Sequence, residues 1–168
     1  KLTADAAAQI RAKVSALPGP EEAARVDLVV EAVPEDMGLK KKLLGDLSQT
    51  NERAILATNT SSLSVTEIAA ACRRPERVIG LHFFNPPPVM QLLEIVTAEQ
   101  TSPETLAAAT ALAVRAEKSP IVVKDSPGFA TSRLGIILGM EAIRMLESGV
   151  ASAADIDQAM ELGYKHPM

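Results

Sequence analysis

Apolar positions along the first 124 residues follow two different patterns. Five short segments rich in Val, Ile and Leu predict strands: 27–33 (DLVVEAV), 54–58 (AILAT), 78–84 (VIGLHFF), 92–96 (LLEIV) and 121–123 (IVV). The first of these has the composition of a strand buried on both faces of a parallel sheet. Outside the strands, apolar residues recur at helical spacing over 3–17 and over 39–47. Two further helices are predicted to begin at capping residues, one at Ser64, which opens a capping box with Glu67, and one at Ser102, which continues to about residue 118. Strands that alternate with helices predict an α/β fold with a doubly wound sheet.

The pattern changes after Lys124. Ser126-Pro127-Gly128 is a chain break, and a helical pattern then runs from Ala130 to Ser148. A second helix follows, which Ser152 caps and Gly163 ends, and no further strand pattern occurs. We therefore predict two units: residues 1–124 form the sheet domain, and residues 125–168 begin a helical domain.

Composition and charge exclude several classes of protein. The net charge of −4 and the lack of a clustered basic face argue against a nucleic-acid-binding protein. A single basic run, Lys40 to Lys42, is typical of a solvated helix face. No apolar segment approaches the roughly 20 residues of a membrane span. Cys72 is the one cysteine, so a disulfide within the chain is impossible and a cytoplasmic setting is indicated. It follows an Ala run, which is typical of a packed helical thiol.

Polar residues follow directly after the predicted strands. Glu35 comes after the first strand, Asn59 to Ser62 after the second, and His82 and Asn85 lie at the end of the third. Ligands of open α/β sheets bind outside the carboxyl ends of the strands, so these residues are candidates for a functional site. The alternative for Asn59 to Ser62 is a set of helix caps, which Ser, Thr and Asn commonly form.

His82 and Glu94 are the central pair of this candidate site. If the strands on either side of the NPPPV segment form a hairpin, both residues lie six positions from Pro88 and face each other, with Cβ atoms about 5 Å apart. A carboxylate opposite an imidazole fixes its tautomer and stabilises the imidazolium, which makes a general base near neutral pH. The alternative is a structural histidine at a strand end with a surface glutamate nearby. No metal site is predicted.

Four segments of the sequence resemble those of a known protein family. DLVVEAVPED, ATNTSSLSVTEIA, RVIGLHFFNPPPVMQLLEIV and VVKDSPGFATSRL occur in the order and spacing of 3-hydroxyacyl-CoA dehydrogenases. The most specific feature is HFFNP with a glutamate nine residues after Asn85. From about Asp27 to Met168 the chain therefore resembles this family, and within it the 3-hydroxybutyryl-CoA dehydrogenases.

The resemblance implies NAD-dependent oxidation of (S)-3-hydroxyacyl-CoA to 3-oxoacyl-CoA, in fatty-acid or hydroxybutyrate metabolism. His82 corresponds to the catalytic base that accepts the proton of the 3-hydroxyl, and Glu94 to its orienting partner. Ser61 corresponds to a hydroxyl that contacts both the substrate and the nicotinamide. Glu35 and Lys40 correspond to residues that contact NAD, and Asn85 to one beside the nicotinamide.

Two departures from the family pattern qualify this assignment. Ser132 stands before Arg133 where the family commonly has Asn, so it is either a substrate-side residue of the catalytic site or a cap of the following helix. None of the nine glycines forms the G-x-G-x-x-G turn with which the family cradles the pyrophosphate. The resemblance thus implies an incomplete Rossmann-type sheet, in a fragment that lacks this segment and the C-terminal end. It also implies that the fragment is inactive by itself and that the complete protein forms a homodimer.

Two other functions remain open on the sequence. One is a non-catalytic domain that binds an acyl-CoA or a partner protein, and the other is a sister hydroxyacid dehydrogenase that acts on free acids. The set of His82, Glu94 and Ser61 favours the enzyme over the binding domain, because binding alone does not require a base paired with a carboxylate.

Overall fold

The computed structural model describes residues 3–166. The α-helices are α1 (Ala4–Arg11), α2 (Met37–Thr50), α3 (Val65–Ala69), α4 (Pro103–Arg115), α5 (Thr131–Glu147) and α6 (Ala153–Tyr164). The strands are β1 (Leu28–Glu31), β2 (Ile55–Thr58), β3 (Val78–Phe83), β4 (Leu92–Thr97) and β5 (Ser119–Lys124). Two short 3₁₀ helices, Pro20–Arg25 and Pro75–Arg77, precede β1 and β3.

The five strands form one sheet in the order β1-β2-β3-β4-β5. β1, β2 and β3 are parallel, β4 returns antiparallel to β3, and β5 pairs parallel to β4. The carboxyl ends of the first three strands therefore meet at one edge of the sheet. Among the described residues β1 is an edge strand.

Helices cover both faces of the sheet, which confirms the predicted doubly wound α/β fold. On one face α2 and α3 pack Leu44, Leu47 and Ile68 into a cluster that includes Val78 and Val96. On the other face, the small residues Ala109 and Ala113 of α4 bring that helix close to the alternate positions of β3 and β4, namely Ile79, Leu81, Leu93 and Ile95. Alternation along β3 and β4 thus assigns His82 and Glu94 to the face of α2 and α3.

Five helices begin at a polar side chain that accepts a backbone N–H of the first turn, and for α1 this side chain is Thr3. The predicted caps Ser64 and Ser152 open α3 and α6, and Ser102 opens α4 with Pro103 at the first helical position. Asp36 caps α2, with its Oδ1 2.7 Å from the Leu39 amide nitrogen. α5 has no such cap from its own N-terminal residues.

Two predicted elements differ from the structure. The first helix was predicted to reach Leu17 but ends at Arg11, and none of its residues is buried. A helix needs a packing surface for its apolar face, and the apolar stripe of α1 finds none among the described residues. β1 is shorter than predicted and is not buried on both faces, since Val30 is 40% exposed at the sheet edge.

Cys72 is a packed thiol, as predicted, although it lies in the turn that follows α3 rather than inside the helix. Burial raises the pKa of this thiol to about 11. A thiol with so high a pKa is protonated near neutral pH and is a poor nucleophile.

α5 and α6 extend from the sheet domain as a pair and contact each other. No residue of α5 is buried, and its exposed side chains are largely apolar. None of the helices in the described part of the chain is both long and apolar enough to cross a bilayer.

Candidate active site

The carboxyl ends of β1, β2 and β3 are joined by side-chain and backbone hydrogen bonds. The backbone N–H of Asn59 donates to the backbone carbonyl of Glu31 at 2.8 Å, and the side-chain Oδ1 of Asn59 accepts the backbone N–H of Phe83 at 2.8 Å. Asn59 therefore holds the segment after β2 against both neighbouring strands. This arrangement brings the polar residues that follow each strand to one edge of the sheet.

His82 and Glu94 face each other across the β3–β4 hairpin in the predicted register. The Nδ1 of His82 lies 2.7 Å from the Oε2 of Glu94, and the two residues are 5% and 0% exposed. Because an ionised carboxylate can only accept, Nδ1 carries a proton, and in the neutral imidazole Nε2 then carries the free lone pair. The interpretation of Glu94 as a surface residue is therefore wrong.

Glu94 also binds the N-terminus of α5. Its Oε1 accepts the backbone N–H groups of Ala130 and Thr131 at 3.1 and 3.0 Å, and its Oε2 accepts the Thr131 hydroxyl at 2.8 Å. Glu94 thus supplies from a distant strand the cap that α5 lacks. Burial by itself would raise the pKa of Glu94, but the hydrogen bonds from His82, Thr131 and Ala130 hold it below its ordinary value.

Two aromatic rings enclose the imidazole. The ring centroid of Phe84 lies 4.5 Å from that of His82, and Phe129 meets the imidazole edge-on at 5.9 Å. Phe129 is buried and has a φ of 49°, next to Gly128 with a φ of 73°. A Cβ on Gly128 would lie 3.0 Å from the Arg133 backbone nitrogen, so this turn requires glycine. The turn brings Phe129 against the histidine.

Glu35 anchors the segment that follows β2. Its Oε1 accepts the Thr60 hydroxyl at 2.5 Å and the Ser61 amide at 2.9 Å, and its side chain is 40% exposed. Burial would raise the pKa of Glu35, but the bonds from Thr60, Ser61 and Lys40 lower it below its usual value. The carboxylate therefore stays charged while part of it faces solvent.

Lys40 lies in a buried network beneath Glu35. Its Nζ lies 2.8 Å from Glu31 Oε1, 3.1 Å from the Val33 carbonyl and 3.3 Å from Glu35 Oε2. Glu31 also accepts the Thr58 hydroxyl at 2.7 Å. Lys40 is only 1% exposed and its ammonium group contacts all three of these acceptors, so the interpretation of Lys40 as part of a solvated helix face is wrong. Lys40 neutralises Glu31 and orients Glu35 from below.

Ser61 and Ser132 come together although 71 positions separate them. The Ser132 hydroxyl donates to the Ser61 carbonyl at 3.3 Å, and it caps no helix. The interpretation of Ser132 as an N-terminal cap is therefore wrong. Asn85 is exposed in the turn after β3, and none of the described groups forms a hydrogen bond with its side chain.

Sequence reasoning missed Thr131 and Asp125. The Asp125 carboxylate accepts the Ser64 hydroxyl at 2.7 Å and the Thr66 amide at 2.8 Å, which ties the segment after β5 to the start of α3. Burial would raise the pKa of Asp125, but these bonds keep it low. No local signal marks such partners, since each lies far along the chain from the group it binds.

Two family models match the chain. The model described as 3-hydroxyacyl-CoA dehydrogenase, NAD binding domain, matches residues 1–126, and that of the C-terminal domain matches residues 128–168. The chain belongs to the 3-hydroxyacyl-CoA dehydrogenase family. The resemblance inferred from the four sequence segments is thereby confirmed.

Relatives within the family agree with this assignment. The chain is 46% identical to the 3-hydroxybutyryl-CoA dehydrogenase of Clostridioides difficile over 96% of its length, which is 58% of that protein. It is 46% identical to the human mitochondrial hydroxyacyl-coenzyme A dehydrogenase over 84% of its length, or 46% of that protein. The chain thus spans about half the length of these curated dehydrogenases.

A solved structure within the family has the same fold. The crystal structure of the (S)-3-hydroxybutyryl-CoA dehydrogenase from Ralstonia eutropha superposes with a TM-score of 0.92 at 42% identity. The match covers 99% of this chain and 59% of that one. The arrangement of sheet and helices described above is therefore that of a 3-hydroxyacyl-CoA dehydrogenase.

Proposed function

We propose that the protein oxidises (S)-3-hydroxyacyl-CoA to 3-oxoacyl-CoA with NAD, in fatty-acid or hydroxybutyrate metabolism. The observation that carries this proposal is the buried His82–Glu94 pair at the carboxyl edge of the sheet, with a 2.7 Å bond from Nδ1 to the carboxylate. Such a pair is the structure a general base requires, because the carboxylate fixes the tautomer and stabilises the imidazolium.

In this proposal the Nε2 of His82 accepts the proton of the substrate's 3-hydroxyl. The positive charge that forms on the ring is balanced by Glu94, which stays ionised because it also accepts the two backbone N–H groups at the start of α5. Phe84 and Phe129 pack against the ring, which is only 5% exposed. Ser61, which is exposed in the segment after β2, would orient the hydroxyl group of the substrate.

The polar groups at this edge fit the nicotinamide end of NAD. Glu35, Ser61 and Asn85 are at least partly exposed there. Glu35 offers a carboxylate to a ribose hydroxyl, Ser61 offers a hydroxyl, and Asn85 offers a side-chain amide. Bound NAD would supply the hydride acceptor for C3 of the substrate. Lys40 belongs to the same NAD-contacting set, and its ammonium nitrogen lies 3.3 Å from Glu35 Oε2, which holds that carboxylate in place.

Ser132→Ala tests the substrate-side role of this residue. Since its hydroxyl caps no helix and bonds the Ser61 carbonyl, we expect the free energy of unfolding to change by less than about 0.5 kcal/mol. We expect kcat/KM to fall about fivefold, as for the loss of one hydrogen bond of about 1 kcal/mol. Ser132→Asn should retain activity. A variant with lower stability and normal kinetics would contradict this assignment.

The proposed reaction can be tested with three ligands on the full-length gene product. We expect NADH to form from (S)-3-hydroxybutyryl-CoA and NAD, followed at 340 nm, and not from free (S)-3-hydroxybutyrate. Turnover of the free acid alone would make the protein a hydroxyacid dehydrogenase. Binding of acetoacetyl-CoA without any turnover in either direction would make it a non-catalytic binding domain.

The setting and assembly of the protein are part of the proposal. The single thiol, Cys72, is consistent with a cytoplasmic location. We propose a homodimer in which α5 and α6 contribute to the contact, because exposed apolar side chains line these helices: Leu134, Ile136, Ile137, Leu138, Ile143 and Leu162. The boundary between the two units is proposed to lie between residues 124 and 125.

A further inference from the structure

The hydroxyl of Thr131, the first residue of α5, shares a carboxylate oxygen with the histidine. Oε2 of Glu94 lies 2.8 Å from Thr131 Oγ1 and 2.7 Å from His82 Nδ1. An ionised carboxylate has no proton to donate, so both groups donate to the same atom. The other oxygen, Oε1, is occupied by the backbone N–H groups of Ala130 and Thr131.

Two donors on one oxygen weaken each other's bond. A hydroxyl that withdraws electron density from Oε2 leaves less negative charge to stabilise the imidazolium of His82. The effect acts away from solvent, since Glu94 is fully buried and His82 nearly so. Solvent therefore does little to screen it.

We propose that Thr131 is a positioning residue that lowers the proton affinity of His82 through the shared oxygen of Glu94. The helical unit thereby tunes the base of the sheet domain through the first residue of α5. The consequence for catalysis rests on the proposed function, whereas the effect on the titration of His82 does not. A base with lower proton affinity keeps a larger neutral fraction at a given pH, which is the form that accepts the substrate's proton.

Charged groups on the neighbouring elements do not compete with Glu94 for the histidine. Asp125, in the segment between β5 and α5, is bound by Ser64 and Thr66. Arg133 on α5 is exposed. Among the described residues, the only salt bridge of His82 is the one with Glu94. A change in the titration of His82 on altering Thr131 therefore reports on the Glu94 contact.

Nitrogen NMR of ¹⁵N-histidine-labelled protein tests the proposal without an activity assay. The chain has two histidines, so the H166Q variant identifies the signals of His82. We expect Thr131→Val, which keeps the shape and both backbone N–H donors, to raise the pKa of His82 by about half a unit. Thr131→Ser should restore the original value, because it restores the hydroxyl.

Thr110→Val is the matched control. Its hydroxyl donates to the Leu106 carbonyl within α4, so this variant should leave the titration of His82 unchanged. An unchanged or lowered pKa of His82 in Thr131→Val would overturn the proposal. So would a Thr131→Ser protein that titrates like Thr131→Val, because the hydroxyl would then be irrelevant.

Kinetics separate this inference from the proposed function. If the protein oxidises 3-hydroxyacyl-CoA, the acid limb of the pH profile of kcat/KM should move to higher pH in Thr131→Val by the shift measured in the titration. A Thr131→Val enzyme that is active but has an unmoved acid limb would contradict the proposed role of Thr131 and leave the proposed function standing. A titration shift in a protein without turnover would leave the role of Thr131 standing and count against the proposed function.

Discussion

Replacing His82 by Gln is expected to lower kcat for the oxidation of (S)-3-hydroxybutyryl-CoA by about 10²–10⁴-fold, the usual loss on removing a general base. Gln keeps a polar side chain of similar reach but cannot accept the proton. KM should change far less than kcat, because the base acts on the transition state more than on the bound substrate. Steady-state kinetics of the full-length gene product measure both quantities.

Glu94→Gln should lower kcat in the same direction. The imidazolium of His82 loses its counter-charge, and the carboxamide replaces an acceptor that receives four hydrogen bonds from His82, Ala130 and Thr131. Part of the loss can come from the start of α5, so unfolding should be measured in parallel.

His166→Gln is the matched control for both variants. His166 is exposed beyond α6, and this substitution should leave kcat and KM unchanged. Near-native kcat in both His82→Gln and Glu94→Gln would contradict the assignment of His82 and Glu94 as the general base and its partner.

Lys40→Met is expected to lower the free energy of unfolding by about 3–5 kcal/mol, the range found when one partner of a buried ion pair is removed. The variant keeps the apolar stem but strands the Glu31 carboxylate, whose side chain is fully buried, without its cation. Urea unfolding followed by far-UV circular dichroism measures the change, since the chain has no tryptophan for fluorescence.

The neighbouring Lys42 provides the control. It forms an exposed pair with Asp46 one helical turn away, so Lys42→Met should leave the free energy of unfolding almost unchanged. The double variant Glu31→Gln with Lys40→Met should regain part of the lost stability, because the uncompensated charge is gone. A Lys40→Met protein as stable as Lys42→Met would show that the buried network contributes nothing to folding.

Local features of the fold could be predicted because they depend on neighbours in the chain. The periods of apolar residues predicted the alternation of strands and helices, and Ser64, Ser102 and Ser152 predicted helix starts that the structure confirms. The hairpin register that pairs His82 with Glu94 followed from counting positions about one turn.

Predictions went wrong where packing overrides local pattern. The apolar stripe that predicted a helix up to Leu17 has no surface to pack against among residues 3–166, and the helix ends at Arg11. The run of three lysines predicted a solvated helix face, but the ammonium group of Lys40 is enclosed by Glu31, Val33 and Glu35. Glu31 had no explanation from the sequence, because the cation that neutralises it lies on another element.

The sequence by itself determined the fold class, the family and the pairing of His82 with Glu94. Only the tertiary structure decided how that pair is held, since the N-terminus of α5 binds Glu94 across 36 or 37 positions of the chain, and Ser132 meets Ser61 across 71. Such contacts depend on how separate elements pack in space, and hydrogen bonds between them have no period or spacing that a single sequence displays. Periodicity reports which face of an element is buried, whereas the partner of each polar group on that face is decided by packing.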